Sequence, residues 1–175
     1  MQDGTHWIMK LNLQPHPEGG HFREIYRSSE EAEGITLRDK RKGVRNLATS
    51  IYYLLRSGER SCFHRLRSDE VWYFHVGSPL HIYTIDIHGT LKTITLGIHP
   101  EQHQVPQIVI PAGTIFGALV TESNSYSLVS CMVAPGFSFE DFEMISREHM
   151  LDKFPKERDL IHKLTHESKS STLYY

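Results

Sequence analysis

The stretch GERSCFHRLRSDEVWYFHVG, residues 58–77, contains two runs rich in aromatic and β-branched residues, Cys62–Leu66 and Glu70–Val76. A glycine stands at each end, and a short polar segment separates the two runs. Both features are typical of short β-strands. The stretch therefore predicts two strands that carry a histidine, His64, and a carboxylate, Glu70, in an otherwise largely apolar setting.

The same pattern continues on both sides of this stretch. Gly, Pro, Ser and Asn separate the runs, and no β-α-β alternation is present. Several short strands at close, even spacing predict a sandwich or barrel. The predicted strands are His21–Arg27, Leu47–Leu55, Cys62–Leu66, Glu70–Val76, Leu80–Asp86, Lys92–Leu96, Gln107–Ile110, Thr114–Val120 and Tyr126–Ala134.

Helical patterns are confined to the two ends of the chain. At the N-terminal end a helix is predicted over Thr5–Leu13, with Thr5 as its N-cap. Near the C-terminus a further strand over Phe139–Ile145 precedes two short helices, Arg147–Phe154 and Glu157–Thr165. The polar segment Ser28–Asn46 is predicted to be a surface loop. We expect residues 1–165 to form a single domain and residues 166–175 to be a polar tail.

Composition narrows the class of protein. The chain has 175 residues, and its 19 basic and 21 acidic residues give a net charge of −2 with His neutral. This near-balance argues against a nucleic-acid-binding or membrane-binding protein. No apolar run is long enough for a membrane span, and no signal peptide is visible. Cys62 and Cys131 are the two cysteines, which we interpret as reduced thiols in a cytoplasmic protein.

The spacing of Gly58, His64, Glu70 and Gly77 resembles the first motif of the cupin superfamily. That motif normally carries a second histidine, and this chain has Leu66 in its place. The second cupin motif is matched by the Pro-Ala-Gly sequence at residues 111–113, but Phe116 replaces its histidine.

Longer segments are similar to one branch of cupins, a branch catalogued as of unknown function. The resemblance runs from about Leu11 to Thr165 and implies a mainly β, double-sheet jelly-roll barrel. It also implies a homodimer with a pocket in the mouth of the barrel, and it implies no established reaction. The segments that carry it are LQPHPEGGHFREIYRS (13–28), IYYLL (51–55), FHRLRSDEVW (63–72), VIPAGT (109–114) and APGFSFEDFE (134–143).

The resemblance also bears on metal binding. A cupin metal site usually has three histidines and one glutamate, and here apolar residues replace two of the four. We therefore predict no cofactor, because a site of one His and one Glu binds metal weakly. The alternative is a divalent metal on His64 and Glu70, with His21 or His75 as a third ligand.

Strand alternation predicts what lines the pocket. If Glu70 points inward, Trp72, Phe74 and Val76 do so too, whereas Tyr73 and His75 point outward. Phe116 adds a further aromatic ring to the pocket. Such a pocket suits a flat or ring-shaped organic ligand held by a few polar groups. The predicted ligand-binding residues are Arg23, Tyr53, Trp72, Gln107 and Phe116.

His64 and Glu70 are the predicted catalytic residues. The imidazole would act as a general base, and Glu70 would orient it and stabilise its charged form. The resemblance to metal-free cupin epimerases implies proton transfer on a sugar-nucleotide-type substrate, with Tyr53, Tyr73 or Tyr126 as the acid. Three alternatives stay open: a metal-dependent dioxygenase or isomerase, a non-enzymatic binding or sensing module, and a buried His–Glu pair without turnover.

Overall fold

A computed structural model describes residues 3–33 and 43–166 of the chain. Fourteen strands form two six-stranded sheets and one small hairpin in this part of the protein. The strands are β1 (Gln14–Pro15), β2 (His21–Arg27), β3 (Glu31–Glu33), β4 (Val44–Asn46), β5 (Thr49–Arg56), β6 (Ser61–Leu66), β7 (Asp69–Gly77), β8 (Leu80–Ile85), β9 (Leu91–Leu96), β10 (Gln104–Val105), β11 (Gln107–Ile110), β12 (Ile115–Val120), β13 (Tyr126–Ala134) and β14 (Phe142–Met144).

The chain alternates between the two sheets. The first sheet has the order β1-β2-β5-β13-β7-β11, and the second has the order β10-β9-β8-β12-β6-β14. Among the described strands every neighbouring pair is antiparallel except β9 and β10. Successive strands β5, β6, β7 and β8 therefore fall on opposite sheets, which confirms the predicted mainly β, double-sheet jelly roll.

The main core lies between the sheets. Its largest members are Tyr53 from β5, Trp72 from β7 and Phe116 from β12, each about 1% exposed. Each of these side chains points into the core, so the residues next to it in its own strand point outward. Burying each such ring contributes roughly 1.5–3 kcal/mol to folding.

Helices cover part of the outer surface of both sheets. The short helices α2 (Arg147–Lys153) and α3 (Arg158–Lys163) pack on β6 through Met150 and Ile161. As a result β6 is buried on both faces, and only Arg65 among its residues is exposed. On the first sheet, Trp7, Ile8 and Leu11 of helix α1 (Thr5–Leu11) pack against Leu54 and Leu128.

Four local predictions are corrected. The N-cap of α1 is Gly4, whereas the Thr5 backbone N–H and hydroxyl both donate to the Asp3 carboxylate. A 3₁₀ turn, Phe139–Asp141, occupies the first half of the strand predicted over Phe139–Ile145. The predicted loop Ser28–Asn46 contains the hairpin of β3 and β4, and its residues 34–42 lie outside the described part. Val76 is 38% exposed because the ladder between β7 and β13 shifts register just before it.

No helix among the described residues has the length and apolar character needed to cross a bilayer.

Candidate functional site

A small pocket opens between the sheets, on the side where β2, β5, β6, β7 and β13 meet. Its volume is about 40 Å³, which is room for about three water molecules. The wall is largely apolar, with aromatic rings from Phe22, Phe137 and Phe142. The polar side chains that line it are His16, Glu18, Thr49, Tyr53, His64 and Glu70.

His64 is held in one orientation by its own strand. Its ring lies 4.1 Å from that of Phe116 and 5.3 Å from that of Phe142, between centroids. Its Nδ1 lies 2.7 Å from the carbonyl oxygen of Cys62. A carbonyl oxygen only accepts, so Nδ1 carries the proton and donates it. The other ring nitrogen, Nε2, is thereby left for the pocket.

The carboxylate that meets this nitrogen is Glu18. Its Oε2 lies 3.3 Å from His64 Nε2, and its Oε1 accepts a hydrogen bond of 2.9 Å from the Ser61 hydroxyl. The backbone carbonyl of Glu18 also accepts from the Cys62 N–H at 2.9 Å. Glu18 is thus tied by backbone and side chain to the strand that carries His64.

A glycine pair makes this close approach feasible. Gly19 has φ +112° and Gly20 has φ +67°, both in the left-handed region that favours glycine. A Cβ atom at Gly19 would lie only 2.0 Å from the carbonyl oxygen of Arg60. The turn between β1 and β2 can therefore lie against β6 only with glycine at this position.

Whether His64 Nε2 and Glu18 Oε2 attract each other depends on one proton. Because Nδ1 is already protonated, an unprotonated Nε2 beside an ionised carboxylate would set two lone pairs against each other. The 3.3 Å contact is attractive when one proton lies between the two atoms. The pair is called the His64–Glu18 unit below, and it is electrically neutral when one proton lies between the two atoms.

His16 is a neutral neighbour of this unit. The Glu18 backbone N–H donates to His16 Nδ1 at 3.3 Å, so this nitrogen carries no proton. Burial lowers the pKa of His16, and the nearby charge of Glu18 offsets that effect only in part. The remaining nitrogen, Nε2, is consequently a donor.

Glu70 is the second carboxyl group of the pocket. Burial, and then the charge of Glu18, raise its pKa to about 8, although polar contacts with Trp72 and Cys131 act in the opposite direction. Its Oε2 is buried and has no hydrogen-bond partner. At neutral pH Glu70 is thus mainly an uncharged carboxylic acid.

Of the three tyrosines proposed as acids, Tyr53 is the one that lines the pocket. Its hydroxyl donates to the carbonyl of Gly19 at 2.8 Å, and burial raises its pKa well above the ordinary value. The Tyr126 hydroxyl instead accepts from the indole of Trp7, and Tyr73 is half-buried at a strand position of opposite parity to Glu70.

The other predicted ligand-binding residues lie outside the pocket lining. Trp72 and Phe116 are buried in the core behind it. Arg23 is exposed on β2, where its guanidinium donates to the carbonyl of Leu11 at 3.0 Å. Gln107 is exposed on β11 at the edge of the first sheet.

The predicted partnership of His64 with Glu70 is also corrected. The carboxylate that contacts the imidazole is Glu18, which lies in the segment that carries much of the family resemblance, residues 13–28. His16 and Glu18 are the site residues that sequence reasoning missed. The available signal was a histidine and a glutamate beside two prolines and directly before two glycines.

The positions that hold metal ligands in other cupins are only partly occupied by donor groups here. No group of three or more His, Cys, Asp or Glu side chains in residues 3–33 and 43–166 is arranged to hold one. Leu66 and Phe116 offer no donor atoms. Of the proposed third ligands, His21 lies 3.9 Å from Glu59, and His75 is hydrogen-bonded to Ser130.

Comparisons with known proteins agree with the observed fold. Residues 5–145 match a family described as "Cupin superfamily (DUF985)". The chain is 43% identical to protein SO0799 from Shewanella oneidensis, whose crystal structure superposes with a TM-score of 0.84 over 96% of this chain and 100% of that one. A hypothetical protein from Leishmania major is 31% identical, with a TM-score of 0.85 over 95% of this chain and all of that one.

A curated relative is likewise uncharacterized. Protein YML079W of Saccharomyces cerevisiae is 28% identical over 153 residues, which cover 82% of this chain and 76% of the yeast protein. These relatives support the fold and identify no reaction.

Proposed function

The chain belongs to the DUF985 family of the cupin superfamily, and from this membership and its pocket we propose that it binds a small organic molecule and moves a proton on it without a metal. The observation that carries the proposal is the contact between His64 and Glu18 at the pocket wall. The reaction class is that of an isomerase or epimerase.

The His64–Glu18 unit is the proposed acid and base. General acid–base catalysis needs a group that exchanges a proton near neutral pH and is held within reach of the substrate. The Cys62 carbonyl fixes the tautomer of His64, and Ser61 fixes the carboxyl of Glu18. The unit is therefore preorganised to take a proton from a carbon next to a carbonyl group and to return it.

The size of the pocket limits how the substrate binds. A volume of about 40 Å³ admits the reacting end of a ligand, and the rest would lie at the mouth beside Phe137 and Phe142. A sugar-nucleotide-type substrate is compatible with this placement if its sugar ring enters and its phosphates stay outside.

Proton transfer is testable before the substrate is known. We expect wild-type protein in D₂O to exchange carbon-bound protons of a keto sugar or a related carbonyl compound, as observed by proton NMR across a panel. His64→Gln should slow this exchange at least ~100-fold, the lower range for loss of a general base.

His75→Gln is the matched control, because His75 bonds Ser130 and does not line the pocket. It should exchange like the wild type. Exchange that survives in His64→Gln would rule out the proposed base. Ligand binding without exchange in the wild type would instead indicate a non-enzymatic binding module.

We also propose that the protein is a cytoplasmic homodimer. The first sheet exposes apolar groups, among them Ile25 and Tyr26 of β2 and Val109 of β11. Cys62 and Cys131 are both free and buried, which suits a reducing compartment. Light scattering after size exclusion should give about twice the chain mass of 20.2 kDa, and a mass equal to one chain would contradict the dimer.

A further inference from the structure

One carboxyl oxygen of Glu70 is buried and has no hydrogen-bond partner. The residue is 7% exposed and lines the pocket, and its Oε2 has no hydrogen-bond partner, although the carboxyl group makes polar contacts with Trp72 and Cys131. A buried polar atom left without a partner costs about 1–3 kcal/mol. A buried atom of this kind requires an explanation, such as a catalytic role or a bound group that completes the site.

The charge of the pocket indicates what kind of ligand this is. The lining contains two carboxyl groups, Glu18 and Glu70, and no Lys or Arg. The His64–Glu18 unit is neutral with a proton on Nε2 and negative without it, so the lining offers no net positive charge in either state. An anionic group would have to leave water and meet Glu18 without a compensating cation, which is unfavourable.

Two guanidinium groups near the pocket wall are already paired. Arg27 contacts the carbonyl of Phe137 at 3.3 Å, but it also forms an ion pair of 2.7 Å with Glu24. Arg45 pairs with Asp141 at 2.8 Å and with Glu140 at 2.7 Å. Neither guanidinium is free to neutralise an anion in the pocket.

We infer that Glu70 acts as a neutral carboxylic acid that donates a hydrogen bond to a carbonyl oxygen, so that the substrate is an uncharged aldehyde or ketone at its reacting end. This inference rests on the proposed proton transfer and names its substrate class. Carboxylates and phosphates are excluded from the reacting position.

The chemistry balances without an oxidant or a metal. The free Nε2 of His64 takes the proton from the carbon next to the carbonyl, and the imidazolium that forms pairs with the Glu18 carboxylate. The electrons of the broken C–H bond form the C=C bond of an enolate. Negative charge develops on the carbonyl oxygen, where the Glu70 hydroxyl stabilises it by its hydrogen bond. The unit then returns a proton to carbon, and Glu70 keeps its own.

Acetamide and acetate are the probes, because they are close in shape and differ in charge. We expect acetamide to bind at least ~10-fold more tightly than acetate at pH 7 in a ligand-observed NMR titration. Acetamide affinity should fall above about pH 8, where Glu70 loses its proton. Equal or tighter binding of acetate, or no binding of acetamide, would overturn the inference.

Two variants separate the role of Glu70 from mere space filling. Glu70→Gln keeps an uncharged donor, so it should bind acetamide without the loss above pH 8. Glu70→Leu has similar bulk and no donor, and it should weaken acetamide binding at least ~10-fold. If Glu70→Leu does not fold, the pH dependence of acetamide affinity in Glu70→Gln is the deciding measurement. A loss of affinity above pH 8 like that of the wild type would contradict the role of Glu70 as the donor.

The test is independent of catalysis by His64. His64→Gln should abolish exchange while the preference for acetamide persists. Loss of the preference with exchange intact would overturn the inference about Glu70 alone. A preference for acetamide in a wild-type protein that never exchanges a proton would instead overturn the proposed reaction.

Discussion

Gly19→Ala is expected to destabilise the protein by roughly 2–5 kcal/mol and to remove the His64–Glu18 unit from the pocket. Two costs add. A left-handed conformation costs about 1–2 kcal/mol for a residue with a Cβ atom, and Gly19 has φ +112°. Overpacking costs about 1–3 kcal/mol, and the new Cβ would meet a backbone oxygen, that of Arg60, at 2.0 Å.

A clash at Gly19 would displace Glu18 of the site through the backbone. Glu18 precedes Gly19 directly, and its carbonyl accepts from the Cys62 N–H at 2.9 Å. Moving Gly19 away from Arg60 therefore draws Glu18 away from β6 and lengthens its 3.3 Å contact with His64. In Gly19→Ala, the free energy of unfolding and the rate of proton exchange should therefore both decrease.

Gly58→Ala is the matched control. Gly58 has φ +85°, so alanine is strained there too, but a Cβ atom would meet nothing within 4 Å. Urea unfolding should show a loss of about 1–2 kcal/mol for this variant and unchanged proton exchange. A Gly19→Ala protein as stable and as active as Gly58→Ala would show that the turn is free to move away from β6.

The strands were predictable because their alternation is local. His21–Arg27, Gln107–Ile110 and Tyr126–Ala134 have the predicted bounds, since turn residues flank runs of β-branched and aromatic side chains. The small elements β3 and β10 carry no such run. They form because a neighbouring strand offers backbone groups for hydrogen bonding. The sequence of one segment alone does not show which strand will be its neighbour.

Strand parity predicted the pocket lining only in part, because it also placed Trp72 and Phe116 there, and both lie in the core behind the pocket. His64, Glu70 and Tyr53 line the pocket as expected. Arg23 does not, because it follows Phe22, whose side chain already points into the pocket, and adjacent residues face opposite ways. Gln107 precedes Ile108, which packs on the core, so the same reasoning would have placed it outside.

Glu18 was not accessible to such reasoning. It lies in a turn, where no periodicity applies, and 45 residues separate it from His64. What brings them together is the docking of one turn on a distant strand, through Ser61 and Cys62. The replacement of two metal ligands by Leu66 and Phe116 could be predicted from the sequence. The carboxylate that contacts His64 could not.

Glu70→Gln is expected to raise the free energy of unfolding by about 3 kcal/mol at pH 7 and to leave it nearly unchanged at pH 4. The pKa of Glu70 is raised from 4.5 to about 8 in the folded protein. Below pH 4.5 both states hold the proton. As the pH rises toward 8 the unfolded chain ionises at Glu70 and the native protein does not, so native stability falls over this window. Above the folded pKa both states are ionised, and the stabilising contribution of the protonated Glu70 has been lost.

Glutamine has no proton to lose, so its advantage should grow with each pH unit between about 5 and 8. The measurement is the urea midpoint of both proteins across this range. Glu143→Gln is the control, since Glu143 is exposed and pairs with Arg65 at the surface, where such pairs contribute about 0–1 kcal/mol.

A Glu70→Gln advantage that does not change with pH would mean that Glu70 is ionised in the native pocket. The pocket would then bind cations rather than uncharged carbonyl compounds, because two buried carboxylates without Lys or Arg favour a positive ligand.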